Sequence, residues 1–180
     1  MEIKQFEIPG LLVIQPQVFY DSRGYFFESY NKIKLQALGF DVNFVQDNQS
    51  LSTKGTLRGL HYQRPPFEQG KLVSVIQGAA LDVVVDIRKK STFYGKYFSI
   101  NLSGQNKTML WIPPGFAHGF LTLEDNTIFI YKCSQIYNKD SEGSVRWDDP
   151  YLNIDWNITN PVISEKDNKS PLFNELISPF

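Results

Sequence analysis

The stretch Ala79-Ala80-Leu81-Asp82-Val83-Val84-Val85-Asp86-Ile87-Arg88 decides the fold class of this chain. Its valine and isoleucine residues are β-branched and favour extended structure. The odd-numbered residues from Leu81 to Ile87 are all apolar and would share one face of a strand, whereas the even-numbered face carries two aspartates and an arginine. The pattern predicts a β-strand with one buried face.

Similar runs of β-branched and aromatic residues lie on both sides of this stretch, separated by Gly, Pro, Asn and Asp. Short strands with such spacing are typical of a β-sandwich or barrel. We therefore expect an all-β protein in which two antiparallel sheets pack face to face as a jelly roll. The predicted strands are Leu11–Ile14, Phe44–Asn48, Thr56–Gln63, Lys71–Gln77, Ala79–Arg88, Lys96–Leu102, Lys107–Ile112, Ala117–Thr122 and Thr127–Ser134.

Two short helices are predicted on the outside of the sheets. Asn31 can cap a helix that runs to Leu38, and Gly39 follows at the position where helices often end. Ser164-Glu165-Lys166-Asp167 resembles a capping box at the start of a second, shorter helix in the C-terminal segment. No repeat or linker divides the chain, so we expect one domain over residues 1–180.

Composition and charge narrow the classes of function. The 18 Lys and Arg residues nearly balance the 19 Asp and Glu residues, and the net charge of −1 argues against a broad basic face for nucleic acid. No apolar run reaches transmembrane length, and the N-terminus lacks the features of a signal peptide. We therefore expect a cytoplasmic protein that binds neither nucleic acid nor a membrane. Cys133, the single cysteine, suits a buried apolar position better than a nucleophilic one.

His61 is the candidate chemical centre. It lies in Thr56-Leu57-Arg58-Gly59-Leu60-His61-Tyr62-Gln63, three residues after Arg58. An imidazole can act as a general base near neutral pH, and a guanidinium nearby suits a phosphate or carboxylate. The residues alone equally allow a core histidine that is hydrogen-bonded to backbone. Residues 58 and 61 point to opposite faces of an ideal strand, but Gly59 can mark a bulge that brings both to one pocket.

Two later segments would face the same interior. Alternation places Phe116, His118 and Phe120 on one face of their strand, after the rigid turn Pro113-Pro114-Gly115. If that face is the interior of the barrel, His118 lies in an aromatic-lined cavity and Tyr131 presents its phenol to the same cavity.

A metal site is not expected. Many jelly-roll metal proteins use a His-x-His pair, a following Glu and a later His, whereas His61 and His118 stand alone, 57 positions apart (118 − 61). Lys71 lies where a ligand carboxylate would otherwise follow. Two imidazoles without a third ligand make a poor site for zinc or iron.

Eight segments together resemble the dTDP-4-dehydrorhamnose 3,5-epimerases, in order and at that family's spacing, from about Ile8 to Leu172. The resemblance implies a metal-free cupin jelly roll without a cofactor. It also implies an isomerase that inverts C3 and C5 of a dTDP-linked 4-keto-6-deoxy sugar to make dTDP-4-keto-L-rhamnose for bacterial surface sugars. The matching segments are Asp21–Tyr30, Phe44–Ser50, Gly55–Gln63, Lys71–Val75, Asp82–Ser91, Trp111–Leu123, Tyr131–Ser134 and Glu142–Pro150.

The same resemblance implies roles for individual residues. His61 would be the base, Asp167 its partner, Tyr131 the acid on the opposite face of the sugar, and Lys71 a neighbour of the C4 carbonyl oxygen. In relatives the Arg23–Glu28 strand reaches into the pocket of the partner subunit, which implies a homodimer. Contacts with substrate are implied for Arg23, Glu28, Gln46, Asp47, Asn48, Arg58, His118, Glu142 and Lys166.

Epimerisation beside a ketone asks for these residue types. The enolate oxygen needs a positive charge such as that of Lys71. The imidazole of His61 needs a carboxylate such as Asp167 to hold its tautomer, and inversion needs a second acid such as Tyr131. The residues alone also allow Asp167 as a helix-capping acid, Tyr131 as a core aromatic and Lys71 as a solvent-facing residue of an edge strand.

The nucleotide end and the exact reaction stay open at this point. A pyrimidine base could stack on Phe19, Tyr25, Phe26 or Tyr137, and Tyr137 could instead shape the sugar pocket. The site could also invert C3 alone or act on another nucleotide-linked keto sugar, although C3-only relatives often lack the Tyr131 phenol. The alternative from a different class is a non-catalytic cupin that binds sugar nucleotides, which loss of the base or acid would indicate.

Overall fold

The computed structural model describes residues 1–6 and 8–180, and most of its regular elements are β-strands. The helices are α1 (Lys32–Ala37) and α2 (Glu165–Asn168), with single 3-10 turns at Lys139–Ser141 and Phe173–Glu175. The strands are β1 (Glu2–Gln5), β2 (Leu12–Gln15), β3 (Phe19–Asp21), β4 (Gly24–Phe26), β5 (Gln46–Ser52), β6 (Thr56–Gln63), β7 (Lys71–Gln77), β8 (Ala79–Asp86), β9 (Tyr97–Ser103), β10 (Met109–Ile112), β11 (Phe116–Thr122), β12 (Thr127–Cys133), β13 (Glu142–Ser144) and β14 (Val162–Ile163). All nine predicted strands are present, although several begin or end a few residues away.

The strands form two sheets and a separate hairpin. The first sheet has the order β1-β2-β10-β7-β12-β5, and the second has the order β13-β6-β11-β8-β9. Strand β14 adds to β6 in parallel, whereas the other pairs are antiparallel. Strands β3 and β4 pair only with each other. This arrangement is a cupin-type jelly roll, as the sequence predicts.

The space between the two sheets is filled by apolar side chains. Phe120 of β11 and Phe129 of β12 stack across it, with ring centroids 3.9 Å apart and nearly parallel planes. Val84, Leu110 and Phe116 pack in the same cluster and are almost fully buried. This core fills one end of the space between the sheets. The open cleft described below lies at the other end, beside Phe120.

Strand β8 is buried on both faces, and the expectation of one polar, exposed face is therefore wrong. Val84 faces the core between the sheets, while Val83 belongs to a second cluster with Trp156 of the C-terminal segment. The chain after β13 folds back over the outer face of the second sheet and covers it. Asp82 and Asp86, on the face predicted to be polar, are both fully buried.

The predicted first helix is present. The Asn31 side chain accepts a hydrogen bond from the Lys34 N–H at its start. Gly39 follows its end with a positive φ of 83°, and the Phe40 N–H closes the last turn on the Leu35 carbonyl. No helix within residues 1–6 and 8–180 is long and apolar enough to cross a membrane.

Candidate active site

A cleft of about 700 Å³ lies between the two sheets, and a smaller pocket of about 140 Å³ adjoins it. Asn48, His61, Lys71 and Tyr131 line both and therefore mark where they join. Most of the predicted site residues meet here. Those that line one or both spaces are Gln46, Asn48, Arg58, His61, Lys71, His118, Tyr131, Tyr137, Glu142, Lys166 and Asp167.

His61 and Asp167 form a hydrogen-bonded pair on one wall. The imidazole Nε2 lies 2.8 Å from Asp167 Oδ1. The second carboxylate oxygen, Oδ2, accepts the Gly59 backbone N–H at 3.2 Å. The Asp167 side chain is 7% exposed and that of His61 is 30% exposed. The carboxylate therefore lies behind the ring, and the ring itself faces the cleft.

The C-terminal segment delivers Asp167 to this position. Ile163 of β14 pairs in parallel with Leu57 of β6, and α2 begins immediately after it. The Ser164 Oγ accepts the Asp167 N–H at 3.0 Å, so the predicted cap is present. The Asp167 carboxylate does not return to the cap, as a capping-box acid would, but points to His61.

The Asp167 carboxylate is held in its charged form. Burial disfavours that form, but the hydrogen bond and charge of His61, together with the Gly59 N–H, outweigh burial. They leave the pKa of Asp167 below its ordinary value. At neutral pH the pair therefore presents an imidazole backed by a negative charge, which is the arrangement that stabilises an imidazolium.

A β-bulge at Gly59 brings Arg58 and His61 into one cleft, as the sequence suggests. In the pairing of β6 with β11, Arg58 lies opposite Phe120 and His61 opposite His118, so two residues of β6 face one of β11. Gly59 has φ +132°, and a Cβ there would lie 2.5 Å from the Gly119 Cα. Only glycine fits this crossing without displacing the neighbouring strand.

The opposite wall carries Tyr131 and Lys71. They come from adjacent strands of the first sheet, β12 and β7, and the Lys71 Nζ lies 5.7 Å from the centre of the Tyr131 ring. Strand β7 lies between β10 and β12 rather than at an edge, so Lys71 is not a surface lysine. Burial lowers the pKa of the Lys71 ammonium and raises the pKa of the Tyr131 phenol.

A second imidazole–carboxylate pair, which sequence reasoning missed, lies beside the first. His118 Nε2 is 2.8 Å from Oδ2 of Asp82 on the neighbouring strand β8. The other oxygen of Asp82 is buried without a hydrogen-bond partner among the described residues. The sequence could have indicated this pair, because an aspartate inside the apolar run of β8 needs a buried partner such as a histidine. The pair fixes the orientation of the His118 ring at the floor of the cleft.

Three polar residues meet at the rim of the smaller pocket. Glu142 Oε2 accepts from the Lys166 Nζ at 2.6 Å and from the Tyr137 hydroxyl at 3.3 Å. Burial disfavours the charged form of Glu142, but the Lys166 hydrogen bond and charge outweigh it and lower the pKa of Glu142. This rim is therefore polar and charged, with one exposed aromatic ring.

Three predicted site residues lie outside both spaces. Asp47 alternates with its neighbours on β5, is exposed, and pairs with Lys132 at 2.9 Å. Arg23 is on the β3–β4 hairpin, where it binds Asp21 and is almost fully exposed. Glu28, just beyond the hairpin, pairs with Lys34 of α1. The cleft of this chain is formed without them.

The described residues contain no group of three or more His, Cys, Asp or Glu side chains that could hold a metal ion. Each histidine in the cleft is instead bound to one carboxylate, at 2.8 Å in both pairs. Lys71 and Tyr131, on the opposite wall, are not a ligand set that zinc or iron prefers. The arrangement suits proton transfer.

A jelly-roll barrel whose cleft joins an imidazole–carboxylate pair to a buried lysine and a phenol defines a cupin with an acid–base site. The family model described as dTDP-4-dehydrorhamnose 3,5-epimerase matches residues 5–175. The chain belongs to this family, whose members are isomerases.

Individual relatives match over nearly their whole length. The dTDP-4-dehydrorhamnose 3,5-epimerase of Shigella flexneri is 51% identical over 168 residues, 93% of each chain. The crystal structure of the 3,5-epimerase of Legionella pneumophila, in complex with dTDP-4-keto-L-rhamnose, has a TM-score of 0.92 at 45% identity and covers 97% of this chain and 94% of that one. The epimerase structure of Bacillus anthracis with TDP and PPi bound has a TM-score of 0.93 at 44% identity, covering 95% of this chain and 98% of that one.

Proposed function

We propose that this protein epimerises dTDP-4-keto-6-deoxy-D-glucose at C3 and C5 to give dTDP-4-keto-L-rhamnose. One observation carries the proposal: His61 and Tyr131 lie on facing sheets and line opposite walls of one cleft. Inversion at a carbon requires a base on one face of the sugar and an acid on the other. The family to which the chain belongs supports the same reaction.

The first step is proton removal by His61. C3 and C5 both neighbour the C4 ketone, so their C–H electrons pass into the carbonyl as the imidazole takes the proton. His61 becomes an imidazolium, and the charged Asp167 behind it stabilises that form. Because C3 and C5 flank the same carbonyl, one base serves both positions.

Lys71 stabilises the enolate. The negative charge that develops on the C4 oxygen needs a donor already in place, and the ammonium of Lys71 supplies it from a half-buried position in the cleft. A charge in a desolvated site acts more strongly on the enolate than one in water.

Tyr131 returns a proton from the opposite face. Its phenol lies in a desolvated position where burial raises its pKa, so it is protonated at neutral pH and can donate to the enolate carbon. After one inversion His61 holds an extra proton and Tyr131 lacks one. Exchange with solvent restores both, so each inverted carbon takes its new hydrogen from water.

The remaining cleft residues bind the substrate. Arg58 supplies a guanidinium for a phosphate of the nucleotide, beside the polar side chains of Gln46, Asn48 and His118. Glu142 and Lys166 contribute at the rim. The nucleotide would therefore extend from the barrel interior towards the smaller pocket.

Tyr137 is the best candidate for stacking on the base. Of the four candidate aromatics it alone lines a pocket contiguous with the catalytic residues in this chain. Phe19, Tyr25 and Phe26 lie on the β3–β4 hairpin, with more than half of each residue exposed. Stacking of a base on an aromatic ring contributes about 1–3 kcal/mol.

The active form is proposed to be a homodimer in which the hairpin completes the partner's site. Arg23 lies outside its own cleft, next to exposed aromatic residues that a second subunit could cover. The test mixes Arg23→Ala and His61→Ala subunits after unfolding and refolding. If sites are shared, each mixed dimer contains one intact site, and a 1:1 mixture regains about a quarter of wild-type activity under C2 symmetry. No recovery would contradict the shared site.

Three further points belong to the same proposal. Residues 1–180 act as one domain, because the barrel supplies His61 and the C-terminal segment supplies Asp167. The protein works in the cytoplasm, where nucleotide sugars for surface polysaccharides such as lipopolysaccharide are made. It binds neither nucleic acid nor a membrane, as its net charge of −1 suggests.

The deciding experiment incubates the protein with dTDP-4-keto-6-deoxyglucose in deuterated water and follows the sugar by NMR. Deuterium at C3 and C5 and signals of the L-sugar support the proposal. Inversion at C3 alone would make the protein a mono-epimerase, and binding without exchange would make it a non-catalytic cupin.

A further inference from the structure

The loop that carries Tyr137 is held by glutamine side chains. It follows the end of β12, where the sheet ladder no longer binds its backbone. The Tyr137 N–H donates to Gln46 Oε1 at 2.8 Å, and the Asn138 N–H donates to Gln63 Oε1 at 2.8 Å. The Gln63 Nε2 donates to the Ile136 carbonyl at 3.1 Å. Side-chain amides from β5 and β6 thus bind the backbone of three consecutive residues.

Gln63 is the central member of this arrangement. It lies two residues after His61 on β6 and is only 5% exposed. Its Nε2 also donates to the Phe67 carbonyl at 2.6 Å, so one buried amide joins two loops to the strand that carries His61. The amide orientation follows from its partners, because the two carbonyls only accept and the Asn138 N–H only donates.

The Tyr137 ring depends on this support because packing does not fix it. The residue is 54% exposed, and its hydroxyl contacts Glu142 at 3.3 Å, a long hydrogen bond. An exposed ring that must meet a ligand in one orientation loses conformational freedom on binding unless its backbone is already held. The Gln63 and Gln46 hydrogen bonds provide that preorganisation.

We propose that Gln63 is a positioning residue for nucleotide recognition, which holds the loop Ile136–Asn138 so that Tyr137 meets the base. The inference rests on the proposed function, in which Tyr137 stacks on the nucleotide. Gln63 also lines the smaller pocket beside Tyr137, but the inference gives it a role through the loop and no part in proton transfer.

The test replaces Gln63 by methionine, which keeps the length of the side chain and removes its hydrogen bonds. We expect Gln63→Met to raise KM for the sugar nucleotide and Kd for dTDP alone by about tenfold, the scale of a lost base stack. We expect kcat to stay within about threefold, because His61, Lys71 and Tyr131 are unchanged. Gln15→Met is the matched control, since the Gln15 amide also bridges a loop, at residues 106–108, but lines neither pocket.

A double-mutant cycle with Tyr137→Ala separates positioning from general destabilisation. If Gln63 acts through Tyr137, then Gln63→Met should weaken dTDP binding by less than about twofold once Tyr137 is alanine. An undiminished tenfold effect in that background overturns the inference. So does Gln63→Met with unchanged KM and Kd, or with a fall in kcat alone.

Hydrogen exchange on the wild-type protein tests the same inference if the variants do not fold. The amides of Tyr137 and Asn138 should be protected by at least about 100-fold, although the loop is exposed, because both donate to glutamine side chains. Exchange at the unprotected rate overturns the inference. Wild-type protein that neither binds dTDP nor exchanges substrate protons would instead refute the proposed function.

Discussion

His61 and Asp167 meet at 2.8 Å although 106 positions of the chain separate them. The barrel strand β6 supplies the imidazole, and the four-residue helix α2 supplies the carboxylate. So short a helix is not stable alone. Its position depends on the Ser164 cap and on the parallel pairing of β14 with β6. The base is therefore complete only when the C-terminal segment is folded against the barrel.

His61→Ala should stop exchange at both C3 and C5. The loss should exceed about 100-fold, because a positioned acid–base group contributes at least that much. Deuterium incorporation by NMR measures both carbons at once, and a thermal melt checks that the variant is folded. Exchange within tenfold of wild type would mean that another group is the base.

Lys71 should set the alkaline limit of activity. Burial lowers the pKa of the Lys71 ammonium, so it loses its proton at a lower pH than an ordinary lysine side chain does. The ammonium is charged below its pKa and neutral above it, so kcat/KM should fall at a pH below that of an ordinary lysine side chain. In the Lys71→Arg variant the guanidinium stays charged at every accessible pH. The fall in kcat/KM at alkaline pH should therefore be absent from the pH profile of its residual activity. The Tyr131→Phe variant should still show the fall at alkaline pH. If the fall were absent from this variant, it would be caused by the phenol rather than by Lys71.

Gly59→Ala should destabilise the protein through a clash at the bulge. The added methyl group would lie 2.5 Å from the Gly119 Cα and 2.9 Å from the His118 carbonyl oxygen. Gly39→Ala is the matched control, because Gly39 also has a positive φ, +83°, and nothing within 4 Å of the added carbon. Overpacking should cost Gly59→Ala about 2 kcal/mol more than the control. Urea denaturation measures the difference in the free energy of unfolding. Equal stabilities of the two variants would contradict the prediction, because β6 and β11 would then accommodate the methyl group without loss of stability.

The purified protein should contain no stoichiometric metal and should keep its activity with chelators. Each histidine is bound to one carboxylate, and the residues that the structure describes include no group of His, Cys, Asp or Glu that could hold a metal ion. Elemental analysis tests this directly. About one zinc, iron or nickel per chain, with activity lost on its removal, would favour a metal-dependent mechanism.

The sequence predicts the barrel well because local pattern determines its strands. Thr56–Gln63 and Lys71–Gln77 are strands with the predicted bounds, since alternation and turn residues act over a few positions. The bulge at Gly59 was also predictable, because Arg58 and His61 could share a cleft only with an extra residue between them. Phe116, His118 and Phe120 share the interior face for the same local reason.

What the sequence could not predict depends on distant parts of the chain. The burial of the odd-numbered face of β8, which carries Val83, depends on a C-terminal segment that arrives more than fifty residues later. Asp82 lies on the other face, between the two sheets, and its partner His118 is distant in the sequence, so the local pattern made Asp82 look solvent-exposed. The direction of the Asp167 carboxylate, towards His61 rather than back to the helix cap, follows from the same long-range packing. Gln63 gave no signal, because its partners are backbone groups, which every residue has.

Tyr131→Phe gives the sharpest test of inversion. If the phenol delivers a proton from the wall opposite His61, the variant should still let His61 remove protons, while reprotonation with inversion fails. Deuterium exchange should therefore persist while formation of the L-sugar falls by about 100-fold or more, the contribution of a positioned acid. The ring of the variant keeps its contact with Phe129, so the fold should be preserved. If Tyr131→Phe inverts C5 at the wild-type rate, Tyr131 serves only packing, and a bound water or Tyr137 becomes the candidate acid.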